Sequence, residues 1–326
     1  MKSQRLVFGI HGKPADVLCL ESFETPPLAD GEVLLAVHAA PINPADLNFI
    51  EGNYGIKPEL PAHAGMECAA NVLESRSEKF SPGDMVVPIA RAGTWCSHFV
   101  TNGENLIRIP VGIDPLQAAM LKVNPATAWL LLHHFKTLRE GDWVVLNAAN
   151  SSVGQCVIQL AAAMGVRTLC FLRNPCRASE LIALGAAAVF EDSSAGFEQA
   201  IEALGMNRAK LAFNTVGGDS ALRLMKLLGN GSTHITYGAM ARKPLTIPNG
   251  SLIFKDIHFR GLWVSRWMEE SLRDEIEATY AGLCEMILAR KLLQDVDSIF
   301  ELANFRDALL RLDAADRHGK VLFSIT

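Results

Sequence analysis

Tyrosine is scarce in this chain, with three among 326 residues, and the seven cysteines (Cys19, Cys68, Cys96, Cys156, Cys170, Cys176 and Cys284) include no C-x-x-C pair. Several of these thiols sit inside apolar runs, where a reduced cysteine packs as a small hydrophobe, so a reducing compartment fits. No run approaches the ~20 consecutive apolar residues needed to cross a bilayer. The segment Met1-Lys2-Ser3-Gln4-Arg5 passes directly into strand-like sequence, with neither a signal h-region nor an Arg- and Ser-rich transit pattern. A cytoplasmic protein with no membrane partner is expected. Basic charge is not in excess either. The 30 Lys and Arg against 35 Asp and Glu leave a net charge of -5, which argues against a phosphate-tracking surface and a nucleic-acid partner.

What is present divides the chain in two. From Arg5 to about Pro110, short β-rich runs alternate with Pro and Gly, as in Glu32-Val33-Leu34-Leu35-Ala36-Val37-His38 and Asp84-Met85-Val86-Val87-Pro88-Ile89. One helix interrupts this β-dominated unit, because Asn43-Pro44-Ala45-Asp46 supplies an N-cap and a proline at the first helical position. After Pro115, strands alternate with helical stretches, the rhythm of βαβ units around a parallel sheet. The expected strands are Trp143 to Ala148, Thr168 to Leu172, Ala187 to Phe190, Lys210 to Asn214, Ser232 to Tyr237 and His258 to Val264. Six strands in that rhythm suit an α/β dinucleotide fold. A helix from Leu272 to about Lys291, another from Phe305 to Leu312, and a final strand from Lys320 to Ile325 that returns to the first unit complete the expectation.

The run Val144-Val145-Leu146-Asn147-Ala148-Ala149-Asn150-Ser151-Ser152-Val153-Gly154-Gln155 reads as an apolar strand, a turn of small residues and a helix start. Such a turn aims backbone N–H groups and a positive helix end at a pyrophosphate. Its glycine fingerprint is reduced to Ala148-x-x-Ser151-x-x-Gly154, so a plain strand-to-helix turn is the alternative. An NAD site places an acid at the end of the second strand, roughly 20 residues on. Here that place reads Phe171-Leu172-Arg173-Asn174-Pro175-Cys176-Arg177. A guanidinium pairs with a 2′-phosphate that a carboxylate would repel, so NADPH is favoured. Arg173 is the stronger candidate; Arg177 reads equally as a solvated helix cap.

Together with that turn, Asn43-Pro44-Ala45-Asp46-Leu47-Asn48, Gly52-Asn53-Tyr54-Gly55, Val123-Asn124-Pro125-Ala126-Thr127-Ala128, Tyr237-Gly238-Ala239-Met240 and Leu252-Ile253-Phe254-Lys255-Asp256 resemble the 2-enoyl thioester reductases of the zinc-independent, quinone-oxidoreductase-like medium-chain dehydrogenase/reductases. The resemblance runs across nearly the whole chain. It implies a GroES-like catalytic domain over residues 1–118 and 267–326 and a doubly wound Rossmann domain over 119–266. It further implies a homodimer, NADPH, and reduction of a trans-2-enoyl thioester carried by CoA or a carrier protein. Tyr54 resembles the family's catalytic tyrosine. Asn124, Asn150, Ser151, Ser152, Val153, Arg173, Asn174, Tyr237, Gly238, Ala239, Met240, the strand end Trp263-Val264-Ser265, and Lys320 resemble its cofactor contacts. Three positions depart from the pattern: Pro175 replaces a second arginine, Ala239 a common glycine, and Ser152 another. Zinc-dependent relatives carry Gly-His-Glu where this chain has Gly65-Met66-Glu67, and no four-cysteine loop is present, so no metal is expected. His63 lies one residue out of register with the ligand position and reads as a packing or loop residue.

Hydride addition to the β-carbon of an enoyl thioester builds charge on the thioester oxygen, and a metal-free site must meet it with hydrogen-bond donors and a proton source. A phenol, with a pKa near ~10, remains protonated at neutral pH and serves both needs. Tyr54 sits in a Gly-flanked loop, where a surface aromatic is the plainer reading. Tyr280 falls in a helix as core or interface, and Tyr237 shapes the cofactor pocket. An apolar acyl slot would draw on Phe49, Ile56, Trp95, Phe254, Trp263 and Trp267, of which Phe49, Phe254 and Trp267 are the principal candidates. Arg242, Lys243 and Arg266 read either as a solvated basic edge or as an attraction for CoA or carrier-protein phosphates. Two other functions share these features: reduction of small enones or quinones, for which a dedicated carbon proton donor is unnecessary, and a non-catalytic NADPH-binding protein.

Overall fold

Alternating side chains decide the first unit and apolar runs between helices the second; both patterns are realised in the structure, a computed structural model that describes residues 1–325. In chain order the strands are β1 (Lys2–Phe8), β2 (Leu18–Glu24), β3 (Glu32–Pro41), β4 (Ala62–His63), β5 (Ala69–Ser75), β6 (Met85–Pro88), β7 (His98–Asn102), β8 (Leu106–Arg108), β9 (Trp143–Leu146), β10 (Arg167–Leu172), β11 (Ala188–Glu191), β12 (Ala209–Asn214), β13 (Leu228–Thr236), β14 (His258–Gly261), β15 (Val296–Glu301) and β16 (Lys320–Ser324). The helices are α1 (Pro14–Val17), α2 (Pro44–Ile50), α3 (Pro115–Ala119), α4 (Asn124–His133), α5 (Ser152–Ala163), α6 (Ala178–Ala183), α7 (Ser194–Leu204), α8 (Gly218–Leu227), α9 (Asn249–Ile253), α10 (Val264–Glu270), α11 (Arg273–Leu288) and α12 (Phe305–Leu312).

Two compact units result: Met1–Val123 joined by the segment from Glu270 onward, and Asn124–Glu269. The sequence places the divisions at 118 and 267. The first falls later because α3, capped by the Asp114 carboxylate on Leu116 N–H (2.8 Å), packs on β3 and β5.

In the first unit, β3 buries Val33, Leu35 and Val37 completely or nearly so, with Ala36 and His38 less buried between and after them, the period of two of a strand with one core face; Leu34 on the other face is buried as well. The main sheet runs β15-β16-β3-β5-β6-β8, with β7 also on β3; a small sheet runs β2-β1-β4. The final strand returns as expected, pairing antiparallel with β3 through Leu322↔Pro41 and Phe323↔Ala40. Phe323 meets Trp95 edge-on at 5.2 Å, and the Trp95 indole donates to Pro41 O. Tyr280 is buried on α11, its hydroxyl donating to Lys122 O at 3.0 Å.

The second unit is a six-stranded parallel sheet in the order β11-β10-β9-β12-β13-β14. Strand order runs outward in both directions from β9, so the topological switch lies between β9 and β12, where open α/β sheets bind ligands at their carboxyl edge. Five of the expected strands agree to within a residue or two at their shared ends, but β13 begins earlier. Leu228 already pairs with Ala209 before a register irregularity, so the glycines that follow it lie inside the strand rather than in a turn. The sixth is corrected more substantially. β14 stops at Gly261; Trp263 precedes α10, and Val264 and Ser265 open it, instead of extending a strand. Trp263, Val264 and Trp267 recur at helical spacing, Val264 and Trp267 are buried, and Trp267 N–H closes on Trp263 O at 3.1 Å.

Candidate functional site

The turn after β9 is built from close approaches. Ala148 adopts φ +45°, a left-handed conformation that costs a residue with a Cβ on the order of 1 kcal/mol. Ser151 caps α5, its hydroxyl accepting from Gly154 N–H at 3.2 Å. A Cβ on Gly154 would stand 2.5 Å from Ala149 O, so only glycine lets the helix start this close to the strand end. The N-terminal amides of α5, including those of Ser152 and Val153, therefore face the carboxyl edge of the sheet, the geometry that receives a phosphate.

A polar ladder ties the strand ends together beneath this turn. Asn147 is fully buried, donates to Asn214 Oδ1 and Ser220 Oγ (both 2.9 Å) and accepts from Thr215 N–H. Asn214 donates to Thr236 Oγ1 at 3.1 Å and accepts from Val216 and Gly217 N–H. Ser220 continues to Asp192, which Arg223 holds in an ion pair. The ends of β9, β12 and β13 and the connection after β11 are thus fixed relative to one another by groups whose burial demands partners.

Arg173 follows β10 directly, exposed and with no ion pair among the described residues. Asn174 caps the next turn through Cys176 N–H (3.1 Å). Arg177 instead pairs with Glu180 at 2.6 Å. Beyond β13, Tyr237 N–H bonds Asn214 O and Met240 N–H bonds Thr215 O, which draws the segment back over the switch. A Cβ on Gly238 would lie 2.2 Å from Thr215 Oγ1. The Tyr237 phenol is raised above its ordinary range by burial, opposed by the Thr215 and Ser151 hydroxyls that face it. Asn124 is buried at the start of α4.

In the first unit, α2 starts at Asn43 in a capping box, with Asp46 accepting from Asn43 N–H at 2.8 Å. Asn43 is itself buried. Its amide donates to Glu67 Oε1 at 2.6 Å, and its oxygen accepts from Lys320 Nζ. Glu67 also accepts from Val123 N–H at 2.9 Å, and Lys122 donates to Met66 O and Ala90 O. Burial and the neighbouring Glu67 push Asp46 up to about 7, burial raises Glu67, and burial draws Lys122 down to about 8. Tyr54 lies in the loop after α2, half-buried and packed against the core of this unit.

Comparison with known proteins settles the lineage. Residues 29–130 match the alcohol dehydrogenase GroES-like domain and residues 152–279 the zinc-binding dehydrogenase family. The mitochondrial enoyl-acyl-carrier-protein reductase of Xenopus tropicalis is 38% identical over 321 residues, covering 95% of this chain and 91% of that protein. The chain belongs to that reductase family. Among solved structures, a putative NADPH:quinone reductase from Bacillus thuringiensis superposes with TM-score 0.93 at 27% identity over 99% of both chains. The Etr1p/NADP/crotonyl-CoA complex does so with TM-score 0.89 at 28% identity, over 99% of this chain and 100% of that one.

The residues expected at a cofactor turn and at an apolar slot divide unevenly in the structure. Asn150 to Val153, Arg173, Asn174 and Tyr237 to Met240 gather at one edge of the second sheet. Lys320 does not present its amine to solvent; it is buried against Asn43 because β16 lies inside the first unit's sheet. Phe49 is a core side chain, edge-on to Phe8 at 5.7 Å with Arg91 over its other surroundings at 4.4 Å, and Trp95 is fully buried. Phe254 is 81% exposed at the end of α9, so within its own unit it walls no slot. Trp267 is buried on α10. Among the described residues, no group of three or more His, Cys, Asp or Glu is placed to hold a metal ion. His63 lies on β4, paired with Val7, and burial and Arg5 hold its imidazole below the usual range. The burial of Asp46, Glu67 and Lys122 around Asn43, and the ladder through Asn147 and Asn214, escape a sequence reading. Only the N-cap motif at Asn43 signals the former, since ion pairs between distant segments leave no local spacing.

Proposed function

We propose that this chain reduces the C2=C3 bond of trans-2-enoyl thioesters, carried by CoA or by an acyl-carrier protein, at the expense of NADPH. The observation that carries the reading is the 38% identity to an enoyl-acyl-carrier-protein reductase maintained over 95% of the chain. The cofactor fits the residues present: glycine at 154 lets α5 begin against the end of β9 with its first amides at the carboxyl edge of the sheet, and Arg173, exposed and with no ion pair among the described residues, is a cation at the place of the 2′-phosphate. Asn124, Asn150 to Val153, Arg173, Asn174 and Tyr237 to Met240 are assigned to holding it, with Trp263, Val264 and Ser265 following β14. When bound, NADPH supplies the hydride that adds at the β-carbon. Tyr54 donates a hydrogen bond to the thioester oxygen as charge builds there and then delivers its proton to the α-carbon, so that one hydride and one proton saturate the bond. Trp267 is kept as a wall of the acyl slot.

A homodimer belongs to the same proposal. β14 is an edge strand, and Leu252, Ile253 and Phe254, exposed in the segment leading into it, offer an apolar face to a second copy. No helix among the described residues is long and apolar enough to cross a membrane. The free cysteines support a reducing compartment, and the cytoplasm is the reading retained for this chain, although the relatives are named as mitochondrial. A quinone or small-enone reductase is the second reading, favoured by the TM-score of 0.93 to a putative NADPH:quinone reductase.

NADPH oxidation with trans-2-hexenoyl-CoA, and in parallel with a simple quinone, separates them. The enoyl thioester is expected to turn over rapidly, and Tyr54→Phe to lower kcat by roughly 10²–10⁴-fold. Quinone turnover alone, indifferent to the substitution, would reverse the order of the two readings.

A further inference from the structure

Eleven positions before Tyr54, on the other side of α2, stands a side chain with more invested in it than a helix cap requires. An N-cap needs one acceptor for a backbone amide and no burial. Asn43 is 2% exposed, and both ends of its amide are committed to ions, the Nδ2 group to Glu67 and the oxygen to Lys320. Glu67 is fully buried and Lys320 nearly so. Burying two charges is costly, and apolar residues would fill the same volume at less expense, so such groups are retained where they specify one arrangement. The arrangement specified is the origin of α2. Asn43 follows β3, and Ile42 N–H extends the pairing to Val321 O; Lys320 comes from β16, and Glu67 from the stretch before β5. Three segments distant in sequence converge on one side-chain amide.

The other end of α2 is equally pinned. His11 Nδ1 and Gly12 N–H both meet Ile50 O, and Asn53 N–H closes on Asn48 O at 2.8 Å. Tyr54 is the next residue. Seven helical residues join these two anchored ends, so the placement of α2, and with it the start of the Tyr54 loop, is set in part at Asn43. Proton delivery depends on placement: a misplacement of about 1 Å can cost ~10²-fold in rate.

We propose that Asn43 is a positioning residue for the reaction, its amide clamped between Glu67 and Lys320 so that α2 presents Tyr54 to the substrate. This rests on the reading of Tyr54 as the proton donor. Asn43→Asp is the sharpest substitution. It keeps the shape, the helix-capping oxygen and the acceptor for Lys320, and it turns the attraction to Glu67 into repulsion by setting a carboxylate oxygen where the amide donated. Asn43→Ala removes both links and serves if the aspartate variant does not fold.

The test is a double-mutant cycle with Tyr54→Phe, reading kcat for trans-2-hexenoyl-CoA at saturating NADPH, KM for NADPH, and the melting temperature of each protein. The expected result is a fall in kcat of roughly 10–100-fold for Asn43→Asp in the parent, an unchanged KM for NADPH, and no further fall when the same substitution is made in Tyr54→Phe. A loss of equal factor in both backgrounds means that Asn43 acts on folding or on another step, and overturns the proposal while leaving Tyr54 in place. An Asn43→Asp enzyme as fast as the parent overturns it likewise. Tyr54→Phe turning over at the parent rate removes the donor reading and the proposal with it.

Discussion

Arg173 and Arg177 show how one ion pair redistributes a function between two side chains of the same type. Both follow β10 where the ribose of a dinucleotide lies in this fold. Arg177 is occupied by Glu180, whereas Arg173 stands exposed without an ion pair among the described residues, and Pro175 between them contributes no cation. The proposed recognition of a 2′-phosphate is therefore assigned to Arg173. Arg173→Ala is expected to raise KM for NADPH by roughly 10–100-fold, the worth of a charge-assisted hydrogen bond of ~1.5–3 kcal/mol, and to leave KM for NADH unchanged. Steady-state kinetics with both cofactors checks this; an equal rise for both would move the role elsewhere. The candidate Arg173 was legible in the sequence because it ends an apolar strand. The capture of Arg177 by a residue one helical turn on was not, because the same spacing also suits an arginine turned toward a ligand.

At the scale of elements, β13 carries both a site and a liability. Its carboxyl end delivers Tyr237 and Gly238 over the switch point, and its middle holds His234 with no exposure and neither ring nitrogen hydrogen-bonded. Burial lowers the imidazole to about 4. Below the ordinary pKa of 6.5 the unfolded chain takes up a proton that the folded chain refuses, so stability falls as pH drops from 6.5 toward 4. Between pH 7 and pH 5 this amounts to about 2 kcal/mol. Asp46, raised to about 7, acts in the opposite sense and is common to both proteins, so urea unfolding is expected to show the His234 contribution as a difference between the parent and His234→Leu that changes by this amount between the two pH values; a difference independent of pH would assign the dependence to other groups. The elements themselves were mostly legible, since strand and helix periods are local. α10 was not: Trp263 and Val264 have high β propensity, whereas in the structure Val264 and Trp267 are buried on a helix.

At the scale of the molecule, the two units carry different parts of the proposed reaction, and a ligand that binds one stabilises it by mass action. NADPH at 100 times its Kd is expected to stabilise the unit from Asn124 to Glu269 by about 2.7 kcal/mol, seen as a rise in melting temperature that Arg173→Ala reduces at the same NADPH concentration; no rise in the parent would contradict the cofactor assignment. The sequence by itself determined the two-unit plan, the parallel dinucleotide sheet, the turn after β9 and the returning last strand. Each of these is written in a local period, a cap or a short motif. Tertiary structure alone decided that the Lys320 amine is buried, that Phe49 and Trp95 belong to the core of the first unit, and that Asn43, Glu67 and Lys320 meet around one amide. Burial and ion pairing are properties of segments far apart in the chain, and they exist only once the sheet that joins β3 to β16 has formed.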